Sequence, residues 1–161
     1  MLSEAITSSL RQIGDLELIE DSSRRKVYES DGLTAIAQIP PLVGLPSSLQ
    51  ALQETLRVCH AHGVPMVARG AGTGLSGGAT PLADGLLIGL AKFNRILEID
   101  PVKMTARVEP GVTNLAISKA VASAGLFYAP DPSSQIACTI GGNVAENSGG
   151  VHCLKYGLTL H

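Results

Sequence analysis

The sequence predicts an α+β fold, and three observations carry that expectation. A well-capped amphipathic helix stands between apolar runs over residues 42 to 69. Two further apolar runs, "VPMVA" and "LLIGL", flank a loop dense in glycine. A strand-turn-strand pattern then leads into a second capped helix. At 161 residues the chain is about one domain long. It can bury roughly two thirds of its unfolded surface. A formal net charge of −2 and the lack of any basic stripe exclude an electrostatic nucleic-acid surface. The opening "MLSEAITSSLRQIG" carries an acid at Glu4 and no long apolar core, so neither a signal peptide nor a membrane span is expected, and the location expected is cytoplasmic.

Element by element, residues 2 to 13 read as an amphipathic helix ending near Gly14. "YESDGLTAIAQIPPLVGLP" then breaks into short apolar pieces between Gly and Pro, with strands expected around 34 to 37 and 42 to 44. In the next helix Ser47 reads as the N-cap with Gln50 completing a capping box. Leu49, Leu52, Leu56 and Cys59 form its apolar stripe, and Gly63 and Pro65 end it. "VPMVA" and "LLIGL" are apolar enough to imply cover on both faces, giving β-α-β, loop, β. "ILEIDPVKMTARVEPG" reads as a hairpin around an Asp-Pro turn. Thr113 caps the second helix, Val112 and Ile117 can staple across the cap, and Ile117, Ala120, Val121 and Ala124 make its stripe, with Gly125 as the stop. Cys59, Cys138 and Cys153 are widely spaced and odd in number, so buried free thiols are expected rather than a disulfide framework or a zinc site.

The loop itself, "RGAGTGLSGGATP" over residues 69 to 81, holds five glycines. Closely spaced glycines let consecutive N–H groups face one concavity and let a bulky oxyanion approach the main chain, so phosphate is the natural guest. Thr73 and Ser76 can add hydroxyl donors and Arg69 can offset charge. A nucleoside-triphosphate loop would end in Gly-Lys-Ser/Thr, whereas this one ends "SGGATP". A Rossmann turn would open a helix, which two glycines and Pro81 prevent. The loop therefore joins strand to strand.

A second glycine-rich block, "PDPSSQIACTIGGNVAENSGG", lies about sixty residues further on in a segment whose charged residues are Asp131, Glu146 and Lys155. Pro130, Asp131 and Pro132 make a stiff extended entry. "TIGGNVAEN" can start a short helix whose free N–H groups suit an anion or the polar edge of a flat ring. Gly149 and Gly150 keep the backbone bare, and Asn143 and Asn147, four apart, can offer amides from one helix face or simply cap and turn. A ligand met by both blocks must be long, with a diphosphate in the middle and flat rings at its ends.

These two blocks, with "ARVEPGVTNLAISKAV" and "YESDGLTAIAQIPPLVGLPSS", closely resemble the FAD-binding domain of the vanillyl-alcohol oxidase or PCMH-type flavoprotein family. The branch most similar is that of the FAD-binding subunits of bacterial glycolate oxidases and the D-lactate dehydrogenases. The resemblance implies a PCMH-type FAD-binding fold of two α+β subdomains, the second incomplete. Residues 1–25 would be an N-terminal helical segment, 26–100 the first subdomain and 101–161 the start of the second, with the substrate cap absent. It places Arg69, Gly70, Gly72, Thr73, Gly74, Leu75, Ser76 and Gly77 at the diphosphate. It places Pro130, Asp131, Pro132, Ser133, Ser134, Thr139, Gly141, Gly142, Asn143, Val144, Ala145, Asn147 and Gly149 along the ribityl chain, flavin and adenosine. Thr73 stands where covalently flavinylated relatives carry a histidine, so non-covalent FAD is expected.

The resemblance further implies oxidation of a small 2-hydroxy acid to the 2-oxo acid by hydride transfer to flavin, with electrons passing to partner subunits of a glycolate oxidase complex or a carrier at the inner membrane. The alternative is a non-catalytic nucleotide-binding or assembly module. Relatives continue beyond "YGLTLH", so the chain is expected to be an N-terminal portion holding no catalytic residue and no metal ligand. A face including Ala106, Val108 and Leu126 is expected to stay exposed. His60 and His62 read as a solvated helix end, and His152 and His161 lack a local partner.

Overall fold

A computed structural model describes residues 2–160. The chain divides into two compact units, one running to Lys92 and one from Phe93 onward. The first unit contains α1 (Glu4–Arg11), β1 (Leu16–Ile19), α2 (Ser22–Lys26), β2 (Leu42–Pro46), α3 (Leu49–Ala61), β3 (Met66–Arg69) and β4 (Leu86–Gly89). Its sheet has the order β1-β2-β4-β3. β2 and β3 both run parallel to β4, and β1 pairs antiparallel with β2 from Leu16↔Pro46 to Ile19↔Val43.

β4 is the centre of this unit because successive strand residues face opposite sides. Leu86 and Ile88 join Leu10, Ile13, Leu42, Ala51, Cys59 and Val64 on one face. Leu87 joins Ile19 and Val43 on the other, under Tyr28 and Leu45. All four β4 residues are consequently buried, whereas β3, an edge strand, buries only Arg69. The cover on both faces expected of "VPMVA" is therefore found only for the second run, "LLIGL". Burial also pushes the Cys59 thiol up to about 11 and leaves it as a small hydrophobic side chain.

Helix α3 departs from expectation in its cap and its stripe. Ser48 is the N-cap, its Oγ accepting from Ala51 N at 3.1 Å. Ser47 instead bonds through both its N and its Oγ to the Asp15 carbonyl, and Gln50 bonds Glu54, so no capping box forms. The buried row is Ala51, Thr55 and Cys59, while Leu49 and Leu56 are 62% and 39% exposed. Small residues let the helix approach the sheet closely, and the Thr55 hydroxyl is satisfied by donating to the Ala51 carbonyl at 2.8 Å. Leu52 and Val58 pack at the edge of the contact.

No strand forms at residues 34 to 37. Arg25 donates to the carbonyls of Pro40 and Pro41, at 2.6 and 3.0 Å, and so fixes the end of this loop just before β2. α2 was not foreseen, although Asp21, whose carboxylate accepts from Arg24 N at 2.9 Å, is an ordinary N-cap.

The second unit contains β5 (Ile96–Asp100), β6 (Thr105–Val108), α4 (Asn114–Val121), α5 (Ile140–Glu146) and α6 (Cys153–Tyr156). β5 and β6 form the expected antiparallel hairpin, its turn fixed by the Asp100 carboxylate accepting from Val102 N and Lys103 N. Thr113 caps α4 through Ala116 N at 3.2 Å, and Gly125, at φ 71°, closes the single 3-10 turn after it. The inward row of α4 is Asn114, Ile117 and Val121; Ala120 and Ala124 are exposed, because the polar Asn114 takes the inner position. Cys138 is buried, but Cys153 is only half-buried, against expectation. Ala106 is exposed, and Val108 and Leu126 are half-buried. Val102, Met104, Phe127, Val151 and Leu154 are exposed as well. Among the described residues no helix is long and apolar enough to cross a membrane.

Leu86→Ala removes a side chain 1% exposed in the larger core cluster. It is expected to cost about 2–5 kcal/mol, measured as a lower urea midpoint with unchanged slope; a loss below about 1 kcal/mol would remove β4 from the centre of the core.

Candidate functional site

β3 and β4 are parallel neighbours, a connection normally made through a helix, yet here the glycine loop makes it. Among the described residues the N–H groups of residues 70 to 78 make no hydrogen bond with the chain. Pairing resumes at Ala79, whose N–H reaches the Asp31 carboxylate, and at Thr80, whose N–H reaches the Gly77 carbonyl at 3.2 Å. The N–H groups of the half-buried residues among 70 to 78 are open to an acceptor from outside the chain. Gly70, Gly72, Thr73, Gly74 and Gly77 are half-buried, and Leu75 and Ser76 are exposed.

Arg69 does not project from this loop. It is 8% exposed, donates from Nη1 to the Tyr28 and Ala79 carbonyls at 3.4 and 3.3 Å, and stacks over the Tyr28 ring. Burial draws its pKa down while Asp31 and Tyr28 oppose that shift.

In the second unit, α5 begins where Ile140 N and Gly141 N donate to the carbonyls of Val112 and Pro110, at 2.8 and 2.9 Å. Asn143 is 3% exposed and points inward, donating its amide to Asn114 Oδ1, while Asn114 Nδ2 reaches the Pro130 carbonyl at 3.2 Å. This chain of amides ties the Pro130-Asp131-Pro132 entry to α5. Asn147 ends α5 in the left-handed region at φ 49° and accepts from Leu160 N at 2.9 Å. Asn143 therefore spends its amide donor, and Asn147 its amide oxygen, on the protein. Gly142, Val144 and Ala145 lie on the exposed side of α5, Gly141 and Gly149 are half-buried, and Ser133 is more exposed than Ser134. The hydroxyls of Thr139, Ser148 and, in the first unit, Thr80 are buried without a partner.

Beside this frame lies a cleft of about 460 Å³ lined by Ser118, Phe127, Tyr128, Asp131, Gln135, His152 and Tyr156. Phe127 and Tyr156 meet edge to face at 5.9 Å. Burial raises the Tyr128 phenol above its ordinary range. His152 has a partner that its sequence neighbourhood does not reveal: Nδ1 lies 2.6 Å from Asp131 Oδ2, and its N–H reaches Oδ1 at 3.3 Å. His161 lies outside the described residues. Among the described residues no three potential metal ligands cluster.

Taken unit by unit, the donors present suit contact with an anionic group. The loop over residues 69 to 81 has unpaired N–H groups and no acidic side chain, and the second block has unpartnered buried hydroxyls at Thr139 and Ser148. Tyr28, Asp31 and Gly32, which support the loop, lie in the "YESDGL" stretch that carries part of the resemblance, but no local pattern there assigns them to the loop.

Residues 40–161 match the family described as "FAD binding domain". The chain is 57% identical over 158 residues to the glycolate oxidase subunit GlcD of Escherichia coli (strain K12), covering 98% of this chain and 32% of that protein. It is 43% identical over 160 residues to the glycolate oxidase subunit GlcD of Bacillus subtilis (strain 168), covering 99% and 34%. The chain thus spans about a third of the length of these relatives. Among solved structures, an alkyldihydroxyacetonephosphate synthase superposes with a TM-score of 0.83 at 23% identity, over 97% of this chain and 31% of that one. p-Cresol methylhydroxylase superposes with a TM-score of 0.72 at 20% identity, over 91% and 30%. The fold is the FAD-binding fold of the vanillyl-alcohol oxidase and PCMH-type flavoproteins.

The hydrogen bond from His152 holds the Asp131 carboxyl below the usual carboxylate range. A lowered folded-state value stabilises the fold above the ordinary carboxylate range, and that contribution disappears as pH falls through the depressed midpoint. A carboxyl-carbon NMR titration is expected to find the Asp131 midpoint below that of a free aspartate and to find it restored upward in His152→Ala; equal midpoints in the two proteins would dissolve the pair.

Proposed function

The chain belongs to the FAD binding domain family, and from that premise we propose that it is the FAD-holding part of a flavin-dependent oxidoreductase taking a small 2-hydroxy acid, glycolate or D-lactate, to the 2-oxo acid. The observation that carries this reading is the run of unpaired N–H groups from residue 70 to residue 78. Gly70, Gly72, Thr73, Gly74, Leu75, Ser76 and Gly77 would hold the diphosphate through the main chain, with the Thr73 and Ser76 hydroxyls adding donors. Pro130 to Ser134, Thr139, Gly141 to Ala145, Asn147 and Gly149 would line the ribityl chain, flavin and adenosine. In this second group the hydroxyls would carry the polar contact, since Ile140 N, Gly141 N, Asn143 N and the Asn143 side-chain amide are committed within the chain. With threonine at position 73 the cofactor is held without a covalent bond.

When bound, the flavin supplies the ring that accepts a hydride from the carbinol carbon of the substrate. The part of this chain is to bind and orient: the free amides would donate hydrogen bonds to the diphosphate, and the Asp131–His152 pair fixes the entry to the second block. No residue here is proposed as the base. Partner subunits of a glycolate oxidase complex, with a place at the membrane periphery gained through them, belong to the same reading. The competing reading is a nucleotide-binding module without catalysis.

Purified chain is expected to release FAD on denaturation, and flavin bound to the full protein is expected to bleach when glycolate or D-lactate is added anaerobically. Bound flavin that neither acid bleaches would favour the non-catalytic module, and absence of bound or bindable FAD would defeat both. Thr139→Val replaces a buried unpartnered hydroxyl with a methyl. It is expected to leave thermal stability unchanged or higher while weakening FAD binding about three- to tenfold, measured by fluorescence titration.

A further inference from the structure

We propose that Asp31, Gly32 and Arg69 form a clamp that positions the glycine loop for its ligand without touching that ligand. The proposal deepens the FAD reading and rests on it for the identity of the guest, though not for the clamp itself. A loop rich in glycine loses more conformational freedom on ordering than any other kind. Between residues 70 and 80 only one internal backbone bond, Thr80 N to Gly77 O, resists that loss. The order comes from outside the loop.

Both backbone groups of Ala79 are held by side chains of opposite charge. Its N–H donates to Asp31 Oδ2 at 3.3 Å, and its carbonyl accepts from Arg69 Nη1 at 3.3 Å. The same two side chains tie down the segment before β2: Asp31 Oδ1 accepts from Leu33 N at 2.8 Å, and Arg69 Nη1 donates to the Tyr28 carbonyl at 3.4 Å. The loop exit and residues 28 to 33 are thereby stitched through two buried ionic groups, 5% and 8% exposed.

Close packing completes the clamp. A Cβ on Gly32 would lie 2.6 Å from the Gly74 carbonyl oxygen and 2.8 Å from that of Thr73, both backbone atoms that cannot swing aside. Gly72, at φ +71°, has the Arg69 guanidinium where its own Cβ would be. Arg69 thus lies beneath the loop, its Nη1 spent on carbonyls, while the unpaired N–H groups of residues 70 to 78 are left for the guest. Asp31 forms no ion pair among the described residues. A buried carboxylate without an ion pair is costly and repels an anion, so its retention points to shape rather than ligand contact.

The clamp is tested on the whole chain with Asp31→Asn, Gly32→Ala and Arg69→Lys. Two readouts are taken: the rate at which a broad-specificity protease cuts the unliganded chain between residues 70 and 80, and the FAD dissociation constant from fluorescence titration. Asp31→Asn is expected to raise loop cleavage and to weaken FAD binding about tenfold each, with a cooperative melt retained, because the binding-competent loop becomes a minor population. Gly32→Ala is expected to do the same without any change of charge. Arg69→Lys is expected to match Asp31→Asn, since lysine keeps the charge but not the planar fork.

Wild-type binding by Arg69→Lys would make Arg69 a simple charge partner of the diphosphate and overturn its place in the clamp. Unchanged loop cleavage in folded Asp31→Asn and Gly32→Ala would overturn the clamp altogether. If Gly32→Ala fails to fold, Asp31→Asn, which changes no volume, decides. If wild-type chain binds no FAD while cleavage still rises in the variants, the clamp stands and the FAD reading falls.

Discussion

Burial of both faces of β4 is the constraint from which the first unit follows. One strand of four residues sends Leu86 and Ile88 to one side and Leu87 to the other, so α1 and α3 must cover one face and Tyr28 and Leu45 the other. Because β4 lies between β2 and β3, its ladders also fix where β3 ends and where the glycine loop must return. The loop's own amides are not needed to hold its two ends, because β4 is anchored by apolar burial and β3 is tied to it by the parallel ladder.

That division of labour explains the placement of charge. β2 and β4 are wholly apolar, yet Asp31 and, at the end of β3, Arg69 are buried where the loop meets residues 28 to 33. Each satisfies backbone groups that the loop geometry would otherwise strand: Asp31 two donors, and Arg69 two acceptors. Ionic side chains suit this work because charge-assisted bonds to backbone are stronger than neutral ones.

The second unit solves a similar problem with amides in place of charges. Its apolar interior is small, with Val112, Ile117, Val121 and Cys138 buried. The Asn143–Asn114–Pro130 relay supplies order that a larger core would provide elsewhere. A neutral network of this kind holds a backbone entry and a short helix in register without burying a charge. Asp131, paired with His152, is the one carboxylate at the cleft, and the pairing keeps it directed at the histidine.

The sequence by itself determined the helices α1, α3 and α4, the strand-to-strand character of the glycine loop, the hairpin at residues 96 to 108 and the family, because periodicity, turn chemistry and two long motifs are local signals. Only the tertiary structure decided which face of α3 is buried, since close approach to a sheet favours Ala51, Thr55 and Cys59 over the bulkier Leu49 and Leu56 that hydrophobicity alone selects. It likewise decided that Arg69 lies under the loop, that Asn143 turns inward, and that His152 finds Asp131 twenty-one residues away. The physical reason is common to all of these: hydrogen bonds and packing between residues distant in sequence have no period and leave no motif, so they are fixed only when the chain has folded.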